Sequence, residues 1–530
     1  MDKTVAHNHN CSGTSTRWRA LLSISVFAVA LMVVAGCDSW LYDPFMGCDM
    51  NWYFTCGRAL ARGMVPYVDF IDSKGPLLWL IYGVGYVITP HSFIGVFGLE
   101  CVSLIATLWI ARKVSILFFG RQSLLNAIVV VLTAFALLYE PAEWRCERWC
   151  MPLLLYAIYG ALSIMMSGEP GRSNGVMFKT GLCIGLAFMI KYSIAAMIAA
   201  VALLQLYATS GQRRQSLWPS LWRLVLGAVV AMAPFVIYLL CVGAFVPFVR
   251  EYCVHTLLTV ENIGDLRYRD LGPLKRMYAH YVLFFLWNVI AQGLSALLFL
   301  WVFKTERYRW VAVYCVAVCA AIYSMGYYYY YAEAGNACLV LGIVALLTLI
   351  QRCVHARWAY AAMLALAVVV CFAHGAYFFS QCSYAFNKRS YKRTIFHTAL
   401  DIVARQGRYC KIMYYLTMPV RGELGLRAEA LPACPDWAQQ NGNYVRTRRT
   451  QRSAIARHEP DVIVVNRKMG GDGYCAAKRY LDACGYHAVA FATAADSAMW
   501  QRGDQEIFLR RPMTAHIVDA SDADVLLRRR

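Results

Sequence analysis

Long apolar runs, separated by short polar segments, fill the first 380 residues of the chain. Most runs have about 17–25 residues, the length that carries an α-helix across the hydrocarbon core of a bilayer. We expect eleven membrane spans, at 20–36, 93–111, 123–139, 150–167, 178–190, 192–208, 219–243, 281–303, 309–330, 334–350 and 358–378. The pattern predicts an α-helical polytopic membrane protein.

One further apolar segment, 74–90, is short and interrupted by glycines. We interpret it as a helix lying in the outer leaflet, because short basic loops such as 112–121 and 304–309 then all fall on one side of the membrane. Short loops rich in Lys and Arg stay in the cytoplasm. The longer segments 37–92, 140–149, 244–280 and everything after 379 are therefore expected outside.

The composition agrees with a membrane protein and changes how the net positive charge of the chain is interpreted. The chain is 59% hydrophobic and 15% charged, with a formal net charge of +20. In a soluble protein such a charge would suggest a nucleic-acid partner, but here many cations lie in short loops, where they set topology. The sequence predicts residence in a membrane and no nucleic-acid partner.

Beyond residue 379 the chain becomes polar and contains signals of mixed α/β structure. The β-branched run 461–466 is typical of a buried strand, the amphipathic stretch 473–484 of a helix, and 486–493 and 506–510 of further strands. We expect two domains. Residues 1–379 would form a transmembrane catalytic domain whose first outer loop is 37–92, and residues 380–530 a small extracytoplasmic α/β domain.

The first outer loop carries carboxylates at the edge of the bilayer, where ionisable residues usually have a function. A carboxylate beside an apolar cavity has a raised pKa and can act as a general base. Asp49 is the first candidate for this role and Asp43 the second. Asp49 could equally cap the helix that is expected to start near Met50, and spacing alone leaves both interpretations open.

A second group in this loop reads Asp69-x-x-Asp72-x-Lys74-Gly75-Pro76. The Gly-Pro pair indicates a turn into the following helix, and a lysine at a helix N-terminus gains nothing from the helix dipole. We therefore expect Lys74 to meet an anion, and a lipid phosphate is the anion at hand. The alternative is an Asp72–Lys74 surface pair, which would contribute about 0–1 kcal/mol.

The whole run from Asp49 through Tyr67 to Leu78 resembles the first extracytoplasmic loop of GT-C glycosyltransferases. It is most similar to bacterial members of glycosyltransferase family 39 and the protein O-mannosyltransferases, which are multi-span enzymes that use a polyprenyl-phosphate sugar. The resemblance implies that Asp49 matches the catalytic acidic residue. It also implies that Lys74 matches the basic residue near the donor phosphate.

Two later segments are similar to the same family. Glu147-Arg148-Trp149-Cys150-Met151-Pro152 looks like its second outer loop, although Arg148 stands where the family often has a second acid. A helix with Gly181 and Gly185 ends at Lys191, a second candidate for binding the donor phosphate. For the glycines alone, close helix packing is a sufficient explanation.

The resemblance implies an inverting glycosyltransferase that moves a sugar from a polyprenyl-phosphate donor to an extracytoplasmic glycan, glycolipid or protein. Its substrates would also contact Tyr67, Asp69, Asp72 and Glu147. No nucleotide-binding motif is present and no cofactor is expected, although distant acids that converge could bind a divalent metal. Two alternatives remain open at this point: a transporter or flippase of lipid-linked sugars, and a non-catalytic protein of envelope assembly.

Overall fold

The structure of the chain is a computed structural model. It describes residues 9–36, 39–41, 48–138, 145–167, 172–213, 217–255, 280–325, 329–382, 409–416, 429–438, 444–466, 473–492 and 505–510. Asp43, the second candidate base, lies outside the described residues.

The hydrophobic part of the chain is helical. Its first helices are α1 His9–Ala35, α2 Cys48–Ala61, α3 Pro76–Ile88, α4 Ile94–Phe119, α5 Ser123–Leu138, α6 Cys146–Ser167, α7 Arg172–Phe188, α8 Tyr192–Arg213 and α9 Trp218–Cys241. Then come α10 Phe245–Phe248, which continues as the π-helix Val249–His255, α11 His280–Val302, α12 Arg309–Met325, the 3₁₀ helix Tyr329–Cys338, α13 Leu339–Cys353 and α14 Arg357–Cys382. Each predicted span overlaps one of these helices.

Within the described residues, seven helices are long and apolar enough to cross a membrane. Four shorter apolar helices accompany them, among them α3 with 13 residues. At 1.5 Å per residue a helix of this length reaches roughly 20 Å, short of the hydrocarbon core. The chain is a multi-pass membrane protein, and the segment 74–90 forms a short helix as expected.

Glycines allow α7 and α9 to pack closely. A side chain on Gly181 would come within 2.0 Å of the Leu224 carbonyl oxygen, and one on Gly227 within 2.1 Å of the Phe178 carbonyl oxygen. Small residues at such contacts let helix backbones approach each other in membranes. The glycines of α7 therefore serve its contact with α9.

The C-terminal part contains a five-stranded sheet in the order β2-β1-β3-β5-β4. Its elements are β1 Lys411–Tyr415, β2 Leu431–Pro432, α15 Tyr444–Ala456, β3 Val462–Asn466, α16 Gly473–Ala483, β4 Tyr486–Ala492 and β5 Gln505–Arg510. Strand β1 pairs in parallel with β2 and β3, whereas β5 pairs antiparallel with β3 and β4. The predicted strands and the predicted helix are present, and β1, β2 and α15 were not predicted.

The C-terminal part packs against the first loop. The Trp52 and Trp437 rings lie 4.6 Å apart, centroid to centroid, and the backbone amide of Ile71 donates to the Pro435 carbonyl at 3.0 Å. Arg58, buried on α2, donates to the Ala430 carbonyl at 3.2 Å. Segments that the sequence assigns to the same side of the membrane therefore contact one another.

Candidate functional site

Asp49 lies in the first turn of α2, where a carboxylate is favoured by the helix dipole. Its side chain is 31% exposed, and its Oδ2 atom lies 3.7 Å from Nε of Arg145, which directly precedes α6. This ion pair connects the first loop to the start of α6. It leaves the Asp49 carboxylate partly accessible.

Two predicted substrate residues, Tyr67 and Asp69, bind the backbone of their own loop. Tyr67 has a φ of +66° and donates its hydroxyl proton to the Lys74 carbonyl at 2.6 Å. Asp69 Oδ2 accepts the Val65 amide at 2.6 Å. A positive φ is unusual for a bulky residue, and the Tyr67 hydroxyl bond fixes this conformation. In the structure these two side chains shape the loop that carries Lys74.

Asp72 is buried and accepts hydrogen bonds from the backbone amide and hydroxyl of Ser73. Burial raises its pKa above the ordinary value of 3.8, against the opposing effects of the Lys74 charge and of the Ser73 amide. The Lys74 ammonium lies 3.2 Å from the Ser73 hydroxyl. Asp72 is buried and Lys74 is half-buried, which differs from the exposed surface pair considered as an alternative.

The segment after Lys74 is docked onto the turn between α7 and α8. The Gly75 amide donates to the Ile190 carbonyl at 3.0 Å, and the Leu77 amide to the Met189 carbonyl at 2.9 Å. A Cβ atom at Gly75 would lie 2.2 Å from the Met189 carbonyl group, so only glycine fits this contact. The docking brings the backbone positions of Lys74 and Lys191 close together.

Lys191 forms an ion pair with Glu147 across 44 residues of sequence. Glu147 lies in the first turn of α6, where its side chain is 2% exposed, and the Lys191 side chain is 14% exposed. Two predicted site residues from different segments are therefore joined. Since a buried charge is costly without a partner, each holds the other in the site.

Sequence reasoning missed two residues of this site, Arg145 and Glu333. Glu333 lies in the 3₁₀ helix before α13 and accepts from Arg148 Nε at 3.1 Å, while Arg145 Nη1 lies 3.8 Å from its other oxygen. Both arginines and the glutamate are buried. Charge at the edge of an apolar run was the signal that could have identified Glu333.

Arg148, which stands where the resembled loop often has a second acid, faces Glu333, a carboxylate from another segment. The positive charge of Arg148 is therefore balanced by a negative charge that lies on a different segment of the chain. The site as a whole joins four cations and four carboxylates, namely Lys74, Arg145, Arg148 and Lys191 with Asp49, Asp72, Glu147 and Glu333.

Two smaller observations complete the site. Tyr53, one turn after Asp49, is buried, and its hydroxyl lies 3.3 Å from the Cys146 sulfur. Among the residues that the structure describes, no three His, Cys, Asp or Glu side chains are grouped as metal ligands would be.

Comparison with known sequences gives no match: no family model and no curated protein is similar to the chain. Solved structures are similar. ArnT from Cupriavidus metallidurans in the apo state has a TM-score of 0.56 at 12% identity, over 94% of this chain and 99% of that one. The same protein bound to undecaprenyl phosphate has a TM-score of 0.56 at 13% identity, over 92% and 98%.

An oligosaccharyltransferase from Archaeoglobus fulgidus covers 90% of this chain, and 74% of its own, with a TM-score of 0.43 and 12% identity. The match to ArnT, in contrast, extends over almost the full length of both chains. The chain therefore has the GT-C fold, which it shares with ArnT and which the motif of its first loop predicted.

Proposed function

We propose that this protein is a membrane glycosyltransferase that transfers a sugar from a polyprenyl-phosphate donor to an acceptor outside the cytoplasm. The observation that carries the proposal is the convergence of Asp49 with Lys74, Arg145 and Lys191 from three separate segments. A partly exposed carboxylate beside several cations suits a reaction that needs a base and an anionic leaving group. The fold that the chain shares with ArnT supports this assignment.

In the proposed reaction, the Asp49 carboxylate takes the proton of an acceptor hydroxyl or amine. The acceptor atom attacks the anomeric carbon as the bond from that carbon to the phosphate oxygen breaks, so the configuration inverts. The released polyprenyl phosphate keeps the bonding electrons, and the ammonium groups of Lys74 and Lys191 stabilise its charge. Phosphate is a good leaving group, so the step needs no nucleotide.

Arg145 is a positioning residue in this scheme. Its guanidinium contacts one oxygen of Asp49 and, on the other side, Glu333, which is also held by Arg148. The carboxylate of Asp49 is thereby oriented by a cation whose own position is fixed. Orientation of the base contributes to catalysis because proton transfer depends on geometry before it depends on pKa.

A lipid donor is supported by the fold and by the position of the charges. In the matching ArnT structure undecaprenyl phosphate is bound to that protein. In this chain the charged cluster lies among ends of apolar helices. The phosphate of a lipid would bind the cations there, and its apolar tail would contact the helices. We assign the enzyme to a bacterial plasma membrane, with residues 380–530 outside the cell. Its acceptor would be an envelope glycan, a glycolipid or a protein.

The test is a transfer assay with the purified protein in detergent, a panel of radiolabelled polyprenyl-phosphate sugars and a membrane extract as acceptor pool. We expect label to leave the lipid fraction and enter an acceptor or water. A flippase would instead move intact labelled donor across proteoliposome membranes without cleaving it. That result, with no sugar release over the whole panel, would contradict the transferase.

A further inference from the structure

Helix α15 exposes a basic face that the proposed activity does not use. Arg448, Arg449 and Arg452 are exposed, and the helix contains no acidic residue. Its opposite face, with Thr447 and Gln451, is buried against the sheet. Among the described residues neither Arg448 nor Arg449 forms an ion pair with a carboxylate. Exposed charge of one sign on one helix face favours an anionic partner.

The start of this helix is tied to the membrane part of the chain. Arg446 donates to Glu251 Oε2 at 2.6 Å and to Asp436 Oδ1 at 3.0 Å. Glu251 belongs to the π-helix 249–255, which follows α9 after the short helix α10, and α9 is long and apolar enough to span a bilayer. Along the helix axis, Arg449 is about 5 Å and Arg452 about 9 Å from Arg446. The basic face therefore begins beside the π-helix that follows a span.

Apolar side chains are exposed at the same place. Val445 on α15 is 78% exposed, and Val246 and Val254, on either side of Glu251, are 73% and 48% exposed. Exposed valines beside arginines suit the interface of a bilayer, which offers acyl chains and phosphates together. A soluble polyanion would satisfy the arginines and leave the valines in water.

We infer that the exposed face of α15, formed by Val445, Arg448, Arg449 and Arg452, binds anionic lipid headgroups at the membrane surface. Along the helix axis these arginines lie within about 9 Å of Arg446, which contacts Glu251, and this is less than the Debye length of roughly 10 Å. Headgroup binding holds the C-terminal domain against the bilayer beside the charged site. The inference concerns membrane contact alone and does not depend on the proposed transferase activity.

Hydrogen–deuterium exchange of the full chain in nanodiscs tests this inference. We expect residues 444–456 to exchange more slowly in nanodiscs that contain one part phosphatidylglycerol to two parts phosphatidylcholine than in phosphatidylcholine alone. Each arginine near an anionic surface strengthens binding by roughly fivefold, so Arg448→Gln with Arg449→Gln should remove most of the protection. High salt should remove it as well.

Arg457→Gln is the matched control, because Arg457 follows the same helix and is paired with Glu459 at 2.7 Å. It should keep the lipid-dependent protection. Unchanged thermal unfolding in neutral nanodiscs would verify that the double variant is folded. Equal exchange in both lipid mixtures would overturn the inference. Protection that requires added soluble polyphosphate, and no anionic lipid, would overturn it too and would assign the face to a soluble partner.

Discussion

At the scale of single residues, the site depends on charges that are buried only because they are paired. Glu147 and Lys191 meet at the start of two helices, and Glu147 has almost no contact with solvent. Removing one partner from such a pair leaves an uncompensated charge, which costs about 3–5 kcal/mol, whereas replacing both partners costs far less.

Lys191→Met should therefore lower the stability of the protein more than Lys191→Met combined with Glu147→Gln. The single variant leaves the Glu147 carboxylate buried without its cation, and the double variant removes the charge as well. Thermal unfolding in one detergent, followed by tryptophan fluorescence, measures the difference. If the two variants unfold at the same temperature, the ion pair does not contribute the stability that is expected of it.

The sequence predicted individual residues better than their partners. Lys191 and Glu147 both stood out as charges within apolar surroundings, yet nothing in a single sequence indicates that residues 44 positions apart meet. Glu333 was missed because it directly precedes the predicted span 334–350, and the sequence indicates no partner for a charge at that position. Its role became visible only when the fold brought it to Arg148.

At the scale of elements, one backbone contact determines the position of the candidate phosphate-binding lysines. The Gly75–Leu77 segment binds the turn at Met189 and Ile190 through two amide hydrogen bonds. Pro76 at the start of α3 presets the helical backbone there. The Gly-Pro pair predicted a turn in this loop, but its contact with a distant turn could not be predicted.

Gly75→Ala should disturb this contact, because the new Cβ would lie 2.2 Å from the Met189 carbonyl group. We expect weaker binding of polyprenyl phosphate, by about tenfold if a single hydrogen-bonded contact of roughly 1.4 kcal/mol is lost. Competition binding with a labelled polyprenyl phosphate measures the effect.

The matched control is Gly98→Ala on α4, where a Cβ would have no neighbour within 4 Å. This variant should bind the lipid as the wild type does. Equal binding by both variants would show that the docked turn does not position the lysines.

Helix α15 shows why some elements of the C-terminal part could not be predicted from the sequence. It buries Thr447 and Gln451 together with Ala454 and Ile455, so half of its inward face is polar. Gln451 donates to the carbonyls of Tyr414 and Asp436, which replaces apolar packing by hydrogen bonds. Periodicity of apolar residues is the main helix signal, and here that signal is weak. Strand β3 was found because residues 462–465 are all β-branched, and all four are buried.

At the scale of the whole molecule, a charged contact joins the C-terminal domain to the membrane part. Burial alone would raise the pKa of Glu251, but the hydrogen bond and charge of Arg446, with those of Arg250, outweigh it and keep the pKa below its usual 4.5. A carboxylate with a lowered pKa contributes stability above its ordinary pKa. That contribution is lost as the pH falls through the lowered value.

The contact should therefore hold at neutral pH and weaken as the pH falls below 4.5. Limited proteolysis of the C-terminal domain at a series of pH values measures it, with an acid-active protease at the low end. Glu251→Gln should raise cleavage at neutral pH and reduce its dependence on pH. Cleavage of the wild type that stays constant between pH 7 and pH 3 would contradict this role for Glu251.

The fold was accessible from the sequence because two independent signals agreed. Apolar runs predicted the helices, and the first-loop motif predicted the GT-C arrangement that the similarity to ArnT bears out. Segments 37–92 and 244–280, assigned to one side by loop charge, meet the C-terminal domain in the structure. Side-chain partnerships depend on packing between distant segments, and no local pattern encodes them.

The central claim is that Asp49 is the base of a glycosyl transfer, and Asp49→Asn tests it most directly. The substitution keeps the shape of the side chain, so the donor should bind as before while transfer falls by about two to four orders of magnitude. Asp482→Asn, an isosteric change on the exposed surface of α16, should transfer sugar at the wild-type rate. Transfer by Asp49→Asn at the rate of this control would contradict the claim.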